Sequence, residues 1–216
     1  MTQTHTVDYE RPDGGARRLT YAEPDGAVRG GLVVLHEAEG VNDGVLLLLG
    51  GLAGEGWLAV APHLAVSDTG PGSAEVLDAT DGALAWLTGR GIQADLLGVI
   101  GFDLGGTAAF VVATRRTLGA AVSVSPVGIT RAVAGDLPPL VDIAAELSCP
   151  WLGIHGDTGD EADEAEVERL REATSAAAVA TNVVRYPGAN HRFDADPAAA
   201  EEAWQRALDW FDAHLR

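Results

Sequence analysis

Leu96–Thr114 reads LLGVIGFDLGGTAAFVVAT. The apolar run Leu96–Ile100 has the length and composition of a buried strand, and the small-residue run Thr107–Thr114 that of a helix. Between them lies Gly101-Phe102-Asp103-Leu104-Gly105-Gly106. Glycines on either side of one polar residue let the chain turn sharply and let the helix pack close against the strand. The pattern is small-x-nucleophile-x-small, a strand-to-helix elbow that holds one reactive side chain at its apex. The apex is Asp103, neither Ser nor Cys.

Working outward, apolar runs alternate with helical patterns. Arg18–Glu23 reads as an edge strand following a polar lead-in, Thr2–Gly15, that forms a first hairpin. Gly31–His36, Trp57–Ala61, Gly119–Val124, Trp151–His155 and Asn182–Tyr186 read as further strands. Asn42–Glu55, Ala74–Leu87, Asp160–Ala173 and Pro197–Leu215 read as helices, the last with Trp204, Leu208, Phe211 and Leu215 at helical spacing. Pro126–Leu147, broken by Pro138-Pro139, reads as irregular and as a small lid over a site. Pro187–Phe193 reads as a loop. This alternation predicts one α/β domain over 1–216: three layers, with a mainly parallel sheet covered by helices on both faces.

Composition narrows the function. The formal net charge is −18, which disfavours nucleic acid and anionic membranes as partners. Every cationic side chain is Arg, so lysine Schiff-base chemistry and lysine phosphate loops are excluded. A single Cys rules out an internal disulfide. The polar opening MTQTHTVDYERPD is not a signal peptide, and no apolar run is long enough to span a bilayer. A cytoplasmic protein, a monomer or small homo-oligomer acting on a small molecule without a cofactor, is the expectation.

In parallel sheets the reactive groups gather at the carboxyl ends of the strands. Those ends carry His36-Glu37, His63, Asp103, His155–Asp160 and His191. Asp103 would sit at the positive end of a helix dipole, as a nucleophile or as an anionic anchor. The alternative is a carboxylate that accepts the amide hydrogen bonds itself and blocks the site. Amides of Leu104 and Ala38 are the candidate oxyanion donors. His191 follows the last strand, where a general base belongs in the order nucleophile, acid, histidine. Asp157 and Asp160 compete for the acid that orients it. Glu37 would orient the resting apex residue or a water. Arg192 and His36 are candidate substrate contacts. Cys149, at a strand start before Pro150, reads as structural. A metal held by His36, Glu37, His63, His155 and His191 would need ligands from separate loops without helical spacing, so no metal is assigned.

VVLHEAEGVND (Val33–Asp43), WLAVAPHL (Trp57–Leu64), VIGFDLGG (Val99–Gly106), CPWLGIHGD (Cys149–Asp157) and VVRYPGANHRF (Val183–Phe193) together resemble the dienelactone hydrolase family of α/β-hydrolases. The resemblance implies the α/β-hydrolase fold and ester or lactone hydrolysis. It also implies a Cys nucleophile at the position of Asp103, a His at His191 and a Glu at Glu37. The family's acid falls at Gly159, between Thr158 and Asp160. Two of three triad positions therefore depart from the family pattern. A carboxylate attacking an ester carbonyl forms an anhydride, which is uphill, whereas attack on a saturated carbon bearing a halide or epoxide oxygen forms an ordinary ester that water can cleave. Asp-nucleophile dehalogenation or epoxide opening is thus the alternative enzyme reading. A non-catalytic ligand binder is the alternative outside enzymes.

Overall fold

The computed structural model describes residues 3–10, 16–36, 40–64, 71–133, 136–158 and 164–216, with the backbone alone at 10, 16, 157 and 158. Glu37, Ala38 and Asp160 lie outside the described residues, and Asp157 is described only in its main chain.

The described strands are β1 (Thr4–Glu10), β2 (Ala16–Ala22), β3 (Gly30–Leu35), β4 (Trp57–Pro62), β5 (Leu97–Phe102), β6 (Ala120–Val124), β7 (Trp151–Thr158) and β8 (Thr181–Asn190). They form one sheet in the order β1-β2-β4-β3-β5-β6-β7-β8. Pairing is antiparallel from β1 to β2 and from β2 to β4, and parallel through the rest. The helices are α1 (Asp43–Gly54), α2 (Ser73–Gly89), α3 (Leu104–Arg115), a short α4 (Leu140–Ile143), α5 (Glu164–Thr174) and α6 (Pro197–His214). Among the described residues, no helix is long and apolar enough to cross a membrane.

Every residue of β3 and β4 is buried, as expected of central strands with helices on both faces. One apolar cluster joins α2, α3, α4 and α5 to one face of the sheet, through residues such as Val76, Phe110, Leu140 and Leu170. The other joins α1 and α6 to the opposite face through Leu49, Leu52, Leu208 and Phe211. These are the three layers that the alternating pattern implied.

Three expectations are corrected. Arg18–Glu23 is not at an edge: β2 lies between β1 and β4, because the polar N-terminal segment itself pairs as the outermost strand. Pro187–Phe193 is not all loop. β8 runs through Pro187 to Asn190, since a long β7 keeps pairing with it as far as Thr158↔Asn190, across a register shift. Pro187 is tolerated because β8 is the other edge, where a missing N–H can face away from the ladder. The lid is the third correction. Leu137, Leu140, Ile143, Ala144 and Leu147 are buried in the α3–α5 cluster, so this segment is part of the core.

The elbow itself is dictated by contact. A Cβ on Gly101 would lie 1.9 Å from the Gly105 carbonyl oxygen, and one on Gly105 would lie 2.1 Å from the Leu35 carbonyl oxygen. Only glycine lets β3, β5 and α3 approach this closely. The first turn of α3 is then tied to the sheet. Trp151 Nε1–H donates to Ser123 Oγ (3.0 Å), and Ser123 Oγ–H donates to the Gly106 carbonyl (2.8 Å). Thr107 Oγ1 donates to the Val127 carbonyl (2.5 Å).

Candidate active site

Asp103 sits between β5 and α3 with φ 48° and ψ −118°. A non-glycine residue in this region costs about 1–3 kcal/mol and persists only where its surroundings enforce it. Here the enforcement is visible on both sides: the Asp103 amide donates to the Val124 carbonyl (3.0 Å), and its carbonyl accepts from Thr107 N–H (3.1 Å) at the start of α3. The side chain makes no capping hydrogen bond to α3, although Oδ1 is buried. The first-turn amides, Leu104 N–H first among them, have no intrahelical acceptor and keep the positive end of the helix available to an anion.

A cavity of about 350 Å³ opens at this point, and Asp103, His191, His36 and Arg192 all line it. Its remaining wall is largely apolar, with Val34, Val45, Leu48 and Phe102 among its residues. So the apex carboxylate and the imidazole contributed from near the C-terminus face one space. His191 stands on the turn after β8, half-buried. That turn is closed by Phe193 N–H donating to the Asn190 carbonyl (3.1 Å) and by Asn190 Nδ2 donating to Asp194 (2.5 Å). Arg192 is exposed at the cavity's edge.

His36 is buried and its Nε2 accepts the Leu64 amide (3.3 Å), which fixes the ring to the segment after β4. Neighbouring His63 bonds Thr20 Oγ1 through its own Nε2 (2.9 Å), and burial holds its pKa below the ordinary imidazole value.

His155 does not join this group. Side chains alternate along a strand, so His155 shares a face with Trp151, which packs edge-on against Phe110 of α3. It is 1% exposed, neither ring nitrogen has a hydrogen-bond partner among the described residues, and burial pushes its pKa down to about 4, with Arg171 and Arg185 adding to the shift. Cys149 is also remote from the chemistry: it is buried in the α3–α5 cluster and burial alone pushes its thiol up to about 12.

One polar residue of the cavity wall, Asn42, was not among the candidates read from the sequence. Asn42 caps α1, its Oδ1 accepting Val45 N–H (3.1 Å), and lines the cavity beside Gly44 and Val45. An Asn directly before the Leu-rich run is an N-cap signal that places it there.

A strained Asp on a strand-to-helix elbow, a histidine after the last strand and a mostly parallel eight-stranded sheet define an α/β-hydrolase. The dienelactone hydrolase family model matches residues 18–215, and the chain belongs to that family of hydrolases. It is 32% identical over 220 residues to a protein of Salmonella typhimurium provisionally named carboxymethylenebutenolidase, covering 88% of this chain and 80% of that one. A protein of the same provisional name from Escherichia coli is 30% identical over 205 residues, covering 83% and 75%. A Klebsiella pneumoniae crystal structure described provisionally as a dienelactone hydrolase superposes with a TM-score of 0.86 at 28% identity, over 97% of this chain and 99% of that one.

Proposed function

We propose that the protein hydrolyses small carboxylic esters or lactones, with His191 as general base and Asp103 as a fixed anionic partner. The observation that carries this is the shared cavity: the elbow carboxylate and the His191 ring both line it, next to the open end of α3. Water attacks the acyl carbon while the imidazole takes its proton. The tetrahedral oxyanion is held by the Leu104 amide, with the Ala38 amide as second donor. Collapse breaks the acyl–oxygen bond, and the leaving alkoxide takes the proton back from the imidazolium. Asp103, ionised under the helix dipole, positions the water and stabilises the imidazolium. The sequence order assigns the acid role to Asp157 or Asp160, and the family resemblance assigns its glutamate position to Glu37. The name of the family, dienelactone hydrolase, supports a lactone substrate class.

A second reading has one specific observation in its favour. The carboxylate stands at the apex of the elbow and lines the cavity, which supports a direct attack by it. On a saturated carbon bearing a halide or epoxide oxygen, attack gives an Asp103 ester, which His191-activated water then cleaves at the carboxyl carbon.

One turnover in ¹⁸O-water separates the two. Water attack puts the label in the product acid. A covalent Asp103 ester leaves it in the Asp103 carboxylate, where peptide mass spectrometry finds it. Asp103→Asn abolishes turnover in both cases. Silence across ester, lactone, haloalkane and epoxide panels, with ligands still raising the melting temperature, would leave only a binding protein.

A further inference from the structure

Behind the Asp103 cavity lies a second one of about 190 Å³, between the sheet, α1 and α6. The two share Leu48, Phe102 and Arg192 in their walls. Apart from Arg192, every residue lining the second cavity is apolar. Folded interiors are packed as densely as organic crystals, so an apolar pocket of this size leaves its lining side chains short of dispersion contacts that an apolar ligand would supply. It has room for about six water-sized groups but offers water almost nothing to bond to. The space exists because α6 presents Ala200, Ala203 and Ala207 to it, where longer side chains would fill it.

Phe193 forms part of its wall. Phe193, two residues after His191, has a left-handed backbone with φ 58°, which is unfavourable for an aromatic residue. Its buried ring stacks edge-on against Tyr186 at 5.5 Å. The turn that presents His191 to the first cavity therefore also builds the wall of the second.

We propose that this second cavity is a substrate subsite for an unbranched aliphatic chain of about four to six carbons, attached to the ester cleaved at Asp103 and His191. The inference rests on the ester-hydrolase reading and adds a substrate class to it: esters with a short apolar chain. Burying each methylene there raises kcat/KM about fourfold until the cavity is full.

Two ester series test it and distinguish the source of the chain. p-Nitrophenyl esters of C2 to C10 acids place the chain on the acyl side, and acetates of C1 to C8 alcohols place it on the leaving group. In the series that matches, kcat/KM climbs with length to about C6 and then levels. Ala200→Phe, at a half-buried position on the cavity wall, lowers the hexanoate-to-acetate or hexyl-to-methyl ratio at least tenfold. Trp204→Ala, which enlarges the cavity, moves the optimum to longer chains. Glu201→Ala, on the exposed side of α6, keeps the wild-type ratio. Flat profiles in both series, or a rise unaffected by Ala200→Phe, overturn the subsite. If no ester is cleaved, the hydrolase reading fails and 1-hexanol decides the cavity alone. A higher melting temperature with hexanol than with matched methanol, lost in Ala200→Phe, upholds the chain site, and equal shifts in both proteins overturn it.

Discussion

His155 makes the fold sensitive to mild acid, and the size of the effect can be worked out. The folded ring has a pKa of about 4 and the unfolded ring an ordinary 6.5, chiefly because burial disfavours the imidazolium, with Arg171 and Arg185 opposing it further. Between those values the unfolded chain binds a proton that the folded chain refuses, so acid favours unfolding. The stabilisation is fully present above pH 6.5 and is lost as pH falls through about 4. At 1.36 kcal/mol per pKa unit the full loss is about 3 kcal/mol, of which about 2 kcal/mol is gone by pH 5. For a chain of this length that corresponds to about 4–8 °C in Tm. His155→Leu removes the group at similar volume, together with two buried nitrogens that have no hydrogen-bond partner among the described residues. It is expected to be no less stable than wild type at pH 7.5 and to lose about 2 kcal/mol less than wild type on going to pH 5. Urea denaturation of both proteins at each pH measures this, and carboxylates common to both cancel in the difference. Parallel losses in the two proteins, or an NMR titration of His155 near 6.5, would refute the reasoning.

The remaining predictions concern the elbow and the lone thiol. Gly105→Ala places a methyl against the Leu35 backbone carbonyl, which cannot swing aside. It should cost about 3 kcal/mol or more in a urea titration, whereas Gly54→Ala, where a Cβ meets nothing within 4 Å, should cost nothing measurable. Asp103→Gly relieves the positive φ and should raise stability by about 1 kcal/mol while abolishing turnover, an opposition of stability and activity that calorimetry and an ester assay read together. Cys149, with its thiol pushed up to about 12 inside the core, should resist iodoacetamide at pH 8 for hours in the native protein and react at once in urea.

The parts of this molecule legible in its sequence are those that short-range chemistry decides. Gly101, Asp103 and Gly105 announced the elbow because close contact there excludes every residue but glycine around the apex. β3, β5 and α3 were readable because buried strands and a small-residue helix leave near-continuous apolar runs. What the sequence hid depends on partners far along the chain. The extension of β8 through Pro187 comes from the length of β7, and the packing of Leu137–Leu147 comes from the space between α3 and α5. The Asp103–His191 cavity was legible as a set of strand ends, but its apolar neighbour was not, since alanines on α6 and the backbone of Phe193 carry no local signal of a void.

His155 shows what was readable and was passed over. Position along a parallel strand selects the end of the sheet, and on that criterion alone His155 belongs with His36, Asp103 and His191. Position also has a parity. His155 is four residues after Trp151 and two after Gly153, so all three share one face, and a Cβ on Gly153 would strike the Trp151 ring at 2.4 Å. That face is the one covered by α3 and α5, whereas the cavity opens beside α1. A histidine at that end of the sheet but on the face packed by α3 and α5 is buried rather than presented, which is why His155 is held neutral in the core while His191 lines the cavity with Asp103.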